Sequence, residues 1–176
     1  MLEGIVDFSW TLFLDRDGVI NSRLFGDYVK SIDDFHFENG VFEFLNFANK
    51  HFHKIIVVTN QQGVGKGIMS VSDLDKIHFF MIQSIENHGG RIDDIYCATN
   101  LKDAQNNIRK PESFMGYQAK NDYPTIDFNK SIMIGDTNSD ILFGKKLGMK
   151  TILVKSQENV WEPSDFQINS LNELIF

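Results

Sequence analysis

Asp15 and Asp17 stand one residue apart, directly behind the apolar run 11–14, and Asp136 and Asp140 follow another apolar run, 131–134. If neighbouring strands gather Asp15, Asp17 and Asp136, each like-charged pair at about 4 Å costs roughly 4 kcal/mol at an effective dielectric of about 20. A hard divalent cation relieves that repulsion. Magnesium suits the task, because it takes a few carboxylate or carbonyl oxygens and keeps places for waters and phosphate oxygens. Thr59 and Asn60 add a hydroxyl and an amide, and Gln61 follows them. Arg109 and Lys110 are adjacent cations, and Pro111 restricts Lys110 to extended backbone. A nucleophilic carboxylate, a second carboxyl, a cation, a hydroxyl and a lysine make a phosphoryl-transfer site, which works by positioning and charge stabilisation.

The elements that must position these residues are legible as alternating strand and helix. Residues 11–14, 55–59, 92–98, 131–134 and 151–154 are short apolar runs, and 55–59 is almost wholly β-branched, as in a strand buried on both faces. Between them lie helical patterns. Residues 40–50 place Val41, Phe44, Leu45 and Ala48 at helical spacing. Ser70 with Asp73 reads as the N-cap of a helix running to about His88, closed by Gly89-Gly90. A weaker helix begins at Pro111, another spans 139–147 before Gly148, and residues 170–176 read as a last short helix. This alternation implies an α/β fold with parallel strands and crossover helices. Ligands of such sheets bind beyond the carboxyl ends of the strands, where the polar residues above are concentrated.

Asp15-x-Asp17, Thr59, Lys110 and Gly135-Asp136-x-x-x-Asp140 resemble the four ordered motifs of the haloacid dehalogenase superfamily, and they span the chain from first to fourth strand. The fuller spelling is similar to the capless branch that holds the heptose-1,7-bisphosphate and histidinol-phosphate phosphatases. It comprises Leu14-Asp15-Arg16-Asp17-Gly18-Val19-Ile20-Asn21, Thr59-Asn60-Gln61-Gln62-Gly63-Val64, Arg109-Lys110-Pro111, Tyr28-Val29 and Phe37-x-x-Gly40-Val41. The resemblance implies a Rossmann-like three-layer sandwich around a central parallel sheet, one phosphatase domain over residues 1–176, and no cap. It implies that Asp15 attacks phosphorus and that Asp17 protonates the leaving oxygen and then deprotonates water. Thr59, Asn60, Gln61, Arg109 and Lys110 would hold substrate. Asp15, the main-chain oxygen of Asp17, and Asp136 would bind Mg2+, with Asp140 behind them. The substrate would be a small phosphorylated metabolite: heptose bisphosphate first, histidinol phosphate as the rival.

The chain departs from that branch in places. The branch carries a zinc loop of three Cys and a His before Arg-Lys-Pro. Here Cys97 is the single cysteine, and the stretch to Arg109 offers no His, only Asp103 and amides such as Asn100 and Asn106. No structural zinc is expected. Thr137 stands where a Lys is usual, Lys66 where an Arg is usual, and residues 22–28 are longer than their equivalent. These changes spare the chemistry but bear on specificity.

Composition narrows the partners. A net charge of -7 and the lack of a basic groove exclude a polynucleotide substrate. The lone cysteine fits a reducing cytoplasm. Residues 1–9, with Glu3 and Asp7, lack signal-peptide order, and no apolar run spans a bilayer. A monomer or small homo-oligomer is expected. The 16 Phe point to aromatic packing. Residues 63–67 fail the P-loop pattern, since Asn60 stands where its first Gly belongs and Gly67 follows Lys66; they read as a flexible loop. His51 and His53 read as solvent-facing, Cys97 as a core thiol, Asp93-Asp94 as a solvated turn, and Asp140 also as a helix cap. A phosphotransferase using an alcohol acceptor, and a non-catalytic phosphometabolite-binding protein, are the other readings. The intact Asp15 and Asp17 weigh against the second.

Overall fold

The structure, a computed structural model, describes residues 2, 6–105 and 107–175. Glu3 and Asn106, named above, and residue 176 at the end of the expected last helix lie outside the described residues. Its centre is a six-stranded parallel sheet built from β1 (Thr11–Leu14), β2 (Lys54–Asn60), β3 (Asp94–Ala98), β4 (Ser131–Gly135), β5 (Lys150–Val154) and β6 (Phe166–Ile168). The strand order is β3-β2-β1-β4-β5-β6. The helices are α1 (Val41–His51), α2 (Gln62–Gly65), α3 (Val71–Asn87), α4 (Phe114–Asp122) and α5 (Asn138–Leu147).

Successive strand residues point to opposite faces, and the chain fills both. Leu12, Leu14, Ile55, Val57, Ile132 and Ile134 pack in one core with the apolar stripes of α1 and α3. Phe13, Ile56, Val58 and Met133 pack in a second core with α4 and α5. The expected three layers follow from this alternation. Phe44 is fully buried, whereas Phe42 and Phe47 are partly buried and stack on His88 and His51. The Ser70 cap is present: Ser70 Oγ accepts from the Asp73 amide at 3.1 Å, and the Asp73 carboxylate accepts from Ser70 in return.

Several expectations need correction. The third strand begins at Asp94, not residue 92. Asp93 is not in a solvated turn: its carboxylate accepts from the Ile55 amide at 2.7 Å and from Arg91 Nε at 3.0 Å, pinning the start of β2. Cys97 is half-buried in β3 rather than wholly in the core. Residues 62–65 form a helical turn rather than a free loop. The fourth helix starts at Phe114, three residues past Pro111, and the tail forms a 3₁₀ turn, Leu171–Leu174. The strand β6 was not anticipated.

The strand order reverses on either side of β1 and β4, which lie next to each other. Leu14 is in register with Ile134, and the Asp15 amide donates to the Ile134 carbonyl at 2.9 Å. Asp15 and Asp136 therefore leave the sheet side by side, at the switch point where such sheets bind ligands.

Candidate active site

At that edge Asp15, Asp136 and Asp140 bring carboxylate oxygens within 4.8 Å of one another, all three buried. Lys110 Nζ lies 2.7 Å from Asp15 Oδ1 and 2.6 Å from Asp140 Oδ1, and donates to the Val58 carbonyl at 2.7 Å. Arg23 sits 2.8 Å from Asp136 Oδ2 and 3.6 Å from Glu158. Three carboxylates thus face two cations. Burial and the neighbouring Asp140, against the pull of Lys110, raise Asp15 to about 6. Burial and the other two carboxylates, against Arg23, raise Asp136 to about 8. Lys110 is held above its ordinary range because the two carboxylates outweigh its burial. Asp136 Oδ1 is buried without a partner. Surplus negative charge, an orphaned carboxylate oxygen and an all-oxygen donor set fit a hard divalent cation.

The backbone makes this crowding possible. Gly18 has φ +92°, and a Cβ there would collide with the Asp136 carboxylate; a Cβ on Gly135 would collide with Asp140. Asp140 serves two roles at once. Its Oδ2 accepts from the Thr137 amide at 3.0 Å and hydroxyl at 2.6 Å, capping α5, while its Oδ1 meets Lys110. Asn60 fixes the other end of Lys110: it donates to the Lys110 carbonyl at 3.1 Å and accepts from the Lys110 amide at 3.0 Å.

Asp17 is held differently. Arg16, fully buried, donates to Asp17 Oδ1 at 2.9 Å, Asn21 donates to the same oxygen at 3.0 Å, and Gln61 donates to Oδ2 at 2.6 Å. Burial acts to raise its pKa, but the Arg16 charge and these hydrogen bonds outweigh it and hold the carboxyl below its ordinary range. Gln61 also donates to Thr59 Oγ1 at 2.9 Å. His78 on α3 lies 3.3 Å from Arg16, and burial beside that guanidinium lowers it to about 4. The ring is therefore neutral near pH 7, and its Nε2 accepts from Arg16.

A cavity of about 440 Å³ opens over this edge, lined by Asp15, Asp17, Arg23, Asn60, Lys66 and Arg109 among others. Lys66 lies 5.4 Å above the Tyr28 ring, and Arg109 donates to the Asn100 carbonyl at 3.4 Å. Of the expected substrate-binding residues, Asn60, Arg109 and Lys110 line this cavity. Thr59 and Gln61 are buried, and Gln61 donates both to Asp17 and to Thr59. His51 and His53 lie elsewhere, bonded to Phe47 and Thr125. Sequence reasoning missed Arg16, Arg23 and His78. The unexplained length of residues 22–28 and the uncharged Thr137 were the available signals for Arg23, since that loop brings a cation to Asp136. No helix among the described residues is long and apolar enough to cross a membrane.

Known proteins resemble this chain in sequence and in fold. A family model described as HAD-hydrolase-like matches residues 107–173. The chain is 32% identical over 166 residues to the D-glycero-beta-D-manno-heptose-1,7-bisphosphate 7-phosphatase of Helicobacter pylori, covering 93% of this chain and 94% of the relative. It is 33% identical over 166 residues to the D-glycero-alpha-D-manno-heptose-1,7-bisphosphate 7-phosphatase of Campylobacter jejuni, covering 93% and 92%. The fold is similar to the crystal structure of the D,D-heptose 1,7-bisphosphate phosphatase of B. bronchiseptica complexed with magnesium and phosphate. There the TM-score is 0.84 at 23% identity, over 94% of this chain and 98% of that one.

Proposed function

This chain belongs to the haloacid-dehalogenase-like phosphatases, and from that premise we propose that it removes the 7-phosphate of a heptose 1,7-bisphosphate, with magnesium, through an aspartyl-phosphate on Asp15. The observation that carries the reading is Asp15 itself, held by Lys110, beside Asp136 and Asp140 and facing the cavity. The heptose comes from the names of the relatives, the Helicobacter pylori one naming the beta anomer and the Campylobacter jejuni one the alpha anomer. A cytoplasmic setting accords with the lone cysteine.

Asp15, the main-chain oxygen of Asp17, and Asp136 would hold magnesium, with Asp140 at their side. Magnesium supplies positive charge to the phosphoryl oxygens when bound. An Asp15 carboxylate oxygen attacks phosphorus as the bond to the sugar oxygen breaks, and Asp17 gives that oxygen a proton. Asp17 then takes a proton from water, the water oxygen bonds to phosphorus, and the Asp15–phosphorus bond breaks to release phosphate. The Arg16 pair favours ionised Asp17 and so suits the second half. For the first half Asp17 must be protonated, which an arriving anionic substrate favours, because added negative charge raises a neighbouring carboxyl.

Asp15→Asn tests the mechanism. The amide is nearly isosteric and cannot attack phosphorus, so turnover should vanish while the melting temperature stays near wild type. Near-normal activity would refute the covalent step. A kinetic screen with both anomers of heptose bisphosphate and histidinol phosphate tests the substrate; preference for histidinol phosphate would overturn the sugar assignment. Adding alcohols to the assay separates hydrolysis from transfer to another acceptor.

A further inference from the structure

Arg23 stands on the connection between β1 and α1, and its guanidinium has two neighbourhoods. One edge rests 2.8 Å from Asp136 Oδ2, and the side chain, 30% exposed, also lines the cavity. Among the described residues it is the one cation paired with Asp136. The next residue along, Thr137, carries no charge, and its hydroxyl is engaged with Asp140 and Ser139.

A divalent cation would take the unpartnered Asp136 Oδ1, on the same carboxylate whose Oδ2 holds Arg23. Two cations sharing one buried carboxylate repel each other, which weakens the Arg23 pair. The guanidinium sits on a connection rather than a strand, so the backbone permits it to move away. Lys110 has no spare capacity for a second anion, being held by Asp15, Asp140 and the Val58 carbonyl. The other cations that line the cavity are Arg23, which also lies 3.6 Å from Glu158, Lys66 and Arg109. A guanidinium offers a planar fork that matches a phosphate, which an ammonium does not.

We propose that Arg23 is an exchange arm: it holds Asp136 while the divalent cation is absent, and when the cation takes Asp136 its guanidinium passes to the substrate phosphate that is not cleaved. Arg23 is then a specificity residue for doubly phosphorylated substrates and couples metal occupancy to substrate choice. The inference rests on the magnesium phosphatase reading of the site.

Two measurements on the full chain test it, using Arg23→Gln and Arg23→Lys. In calorimetric titration with magnesium alone, Arg23→Gln should bind the ion about 3–10-fold tighter than wild type, because the ion no longer displaces a guanidinium. In steady-state kinetics, the ratio of KM for a heptose 7-phosphate to KM for the 1,7-bisphosphate should fall about 10–100-fold in Arg23→Gln, with the change in KM rather than kcat. Arg23→Lys should recover part of it. Magnesium affinity that is unchanged or weaker in Arg23→Gln, or an unaltered KM ratio, would overturn the exchange arm. Two controls separate its failure from that of the underlying reading. If wild type shows no magnesium-dependent turnover, or Asp136→Asn binds magnesium as tightly as wild type, the reading of the site fails first.

Discussion

Replacing Lys110 by Met removes a buried charge while keeping most of the stem's volume, so the cavity cost stays small. Nζ lies 2.7 Å from Asp15 and 2.6 Å from Asp140, in a residue 4% exposed. At an effective dielectric of about 20 each contact is a gross attraction of roughly 6 kcal/mol, most of it offset by desolvation of the ammonium. What survives is the cost of stranding the partner charges, about 3–5 kcal/mol for a buried pair broken from one side. For a domain of this size one kcal/mol moves the melting temperature by about 2–4 °C, so Lys110→Met should melt roughly 6–20 °C below wild type. The deficit comes from excess negative charge, so it should shrink when saturating magnesium brings positive charge back to the cluster. Adding Asp140→Asn to Lys110→Met should also recover part of it, because one stranded carboxylate is gone. Thermal melts of the three proteins with and without magnesium decide the matter. A Lys110→Met protein melting within about 2 °C of wild type in chelator would refute the reasoning, as would a deficit identical with and without magnesium.

Burial pushes the Cys97 thiol up to about 12 from an ordinary 9.0. At pH 8 its thiolate fraction is then about a thousandth that of an ordinary cysteine, and alkylation by iodoacetamide, followed by mass spectrometry, should be slower by a similar factor in folded protein. Labelling as fast as in urea would contradict this. Ser70→Ala removes the hydroxyl that accepts from the Asp73 amide and should cost about 1 kcal/mol, read as a fall of about 2–4 °C in melting temperature.

The parts of the site that follow strands were legible because strand ends in a parallel sheet have one destination. Asp15 and Asp136 need only their apolar strands and the pairing of β1 with β4 to become neighbours. Period-two alternation, carried one residue past β2, also explains the arrangement there. Gln61 reaches Asp17 and Thr59 on one side, while Asn60 points the other way, to the Lys110 backbone. The same alternation turns Arg16 away from Asp15 and into the interior. What was not legible depends on long loops or weak patterns. Nothing local joins Arg23 to Asp136, 113 residues apart in sequence. The strand β6 has three residues, two of them exposed, and so lacks a hydrophobic signature. Asp93 reads like any polar turn residue until the start of β2 is brought against it.

β1 is paired on both edges and buried on both faces. Its amides should therefore exchange with deuterium only through global opening, whereas Arg23, Tyr28, Lys66 and Arg109 ride on connections whose backbone opens at far lower free energy. The groups proposed to make and break bonds are anchored in the slowest-exchanging part of the molecule, and those that would choose a substrate in the fastest. Mild denaturant should thus erode discrimination among phosphate esters before it erodes turnover. Sequence drift in the connections can likewise retune selectivity without touching the cooperative unit that carries Asp15.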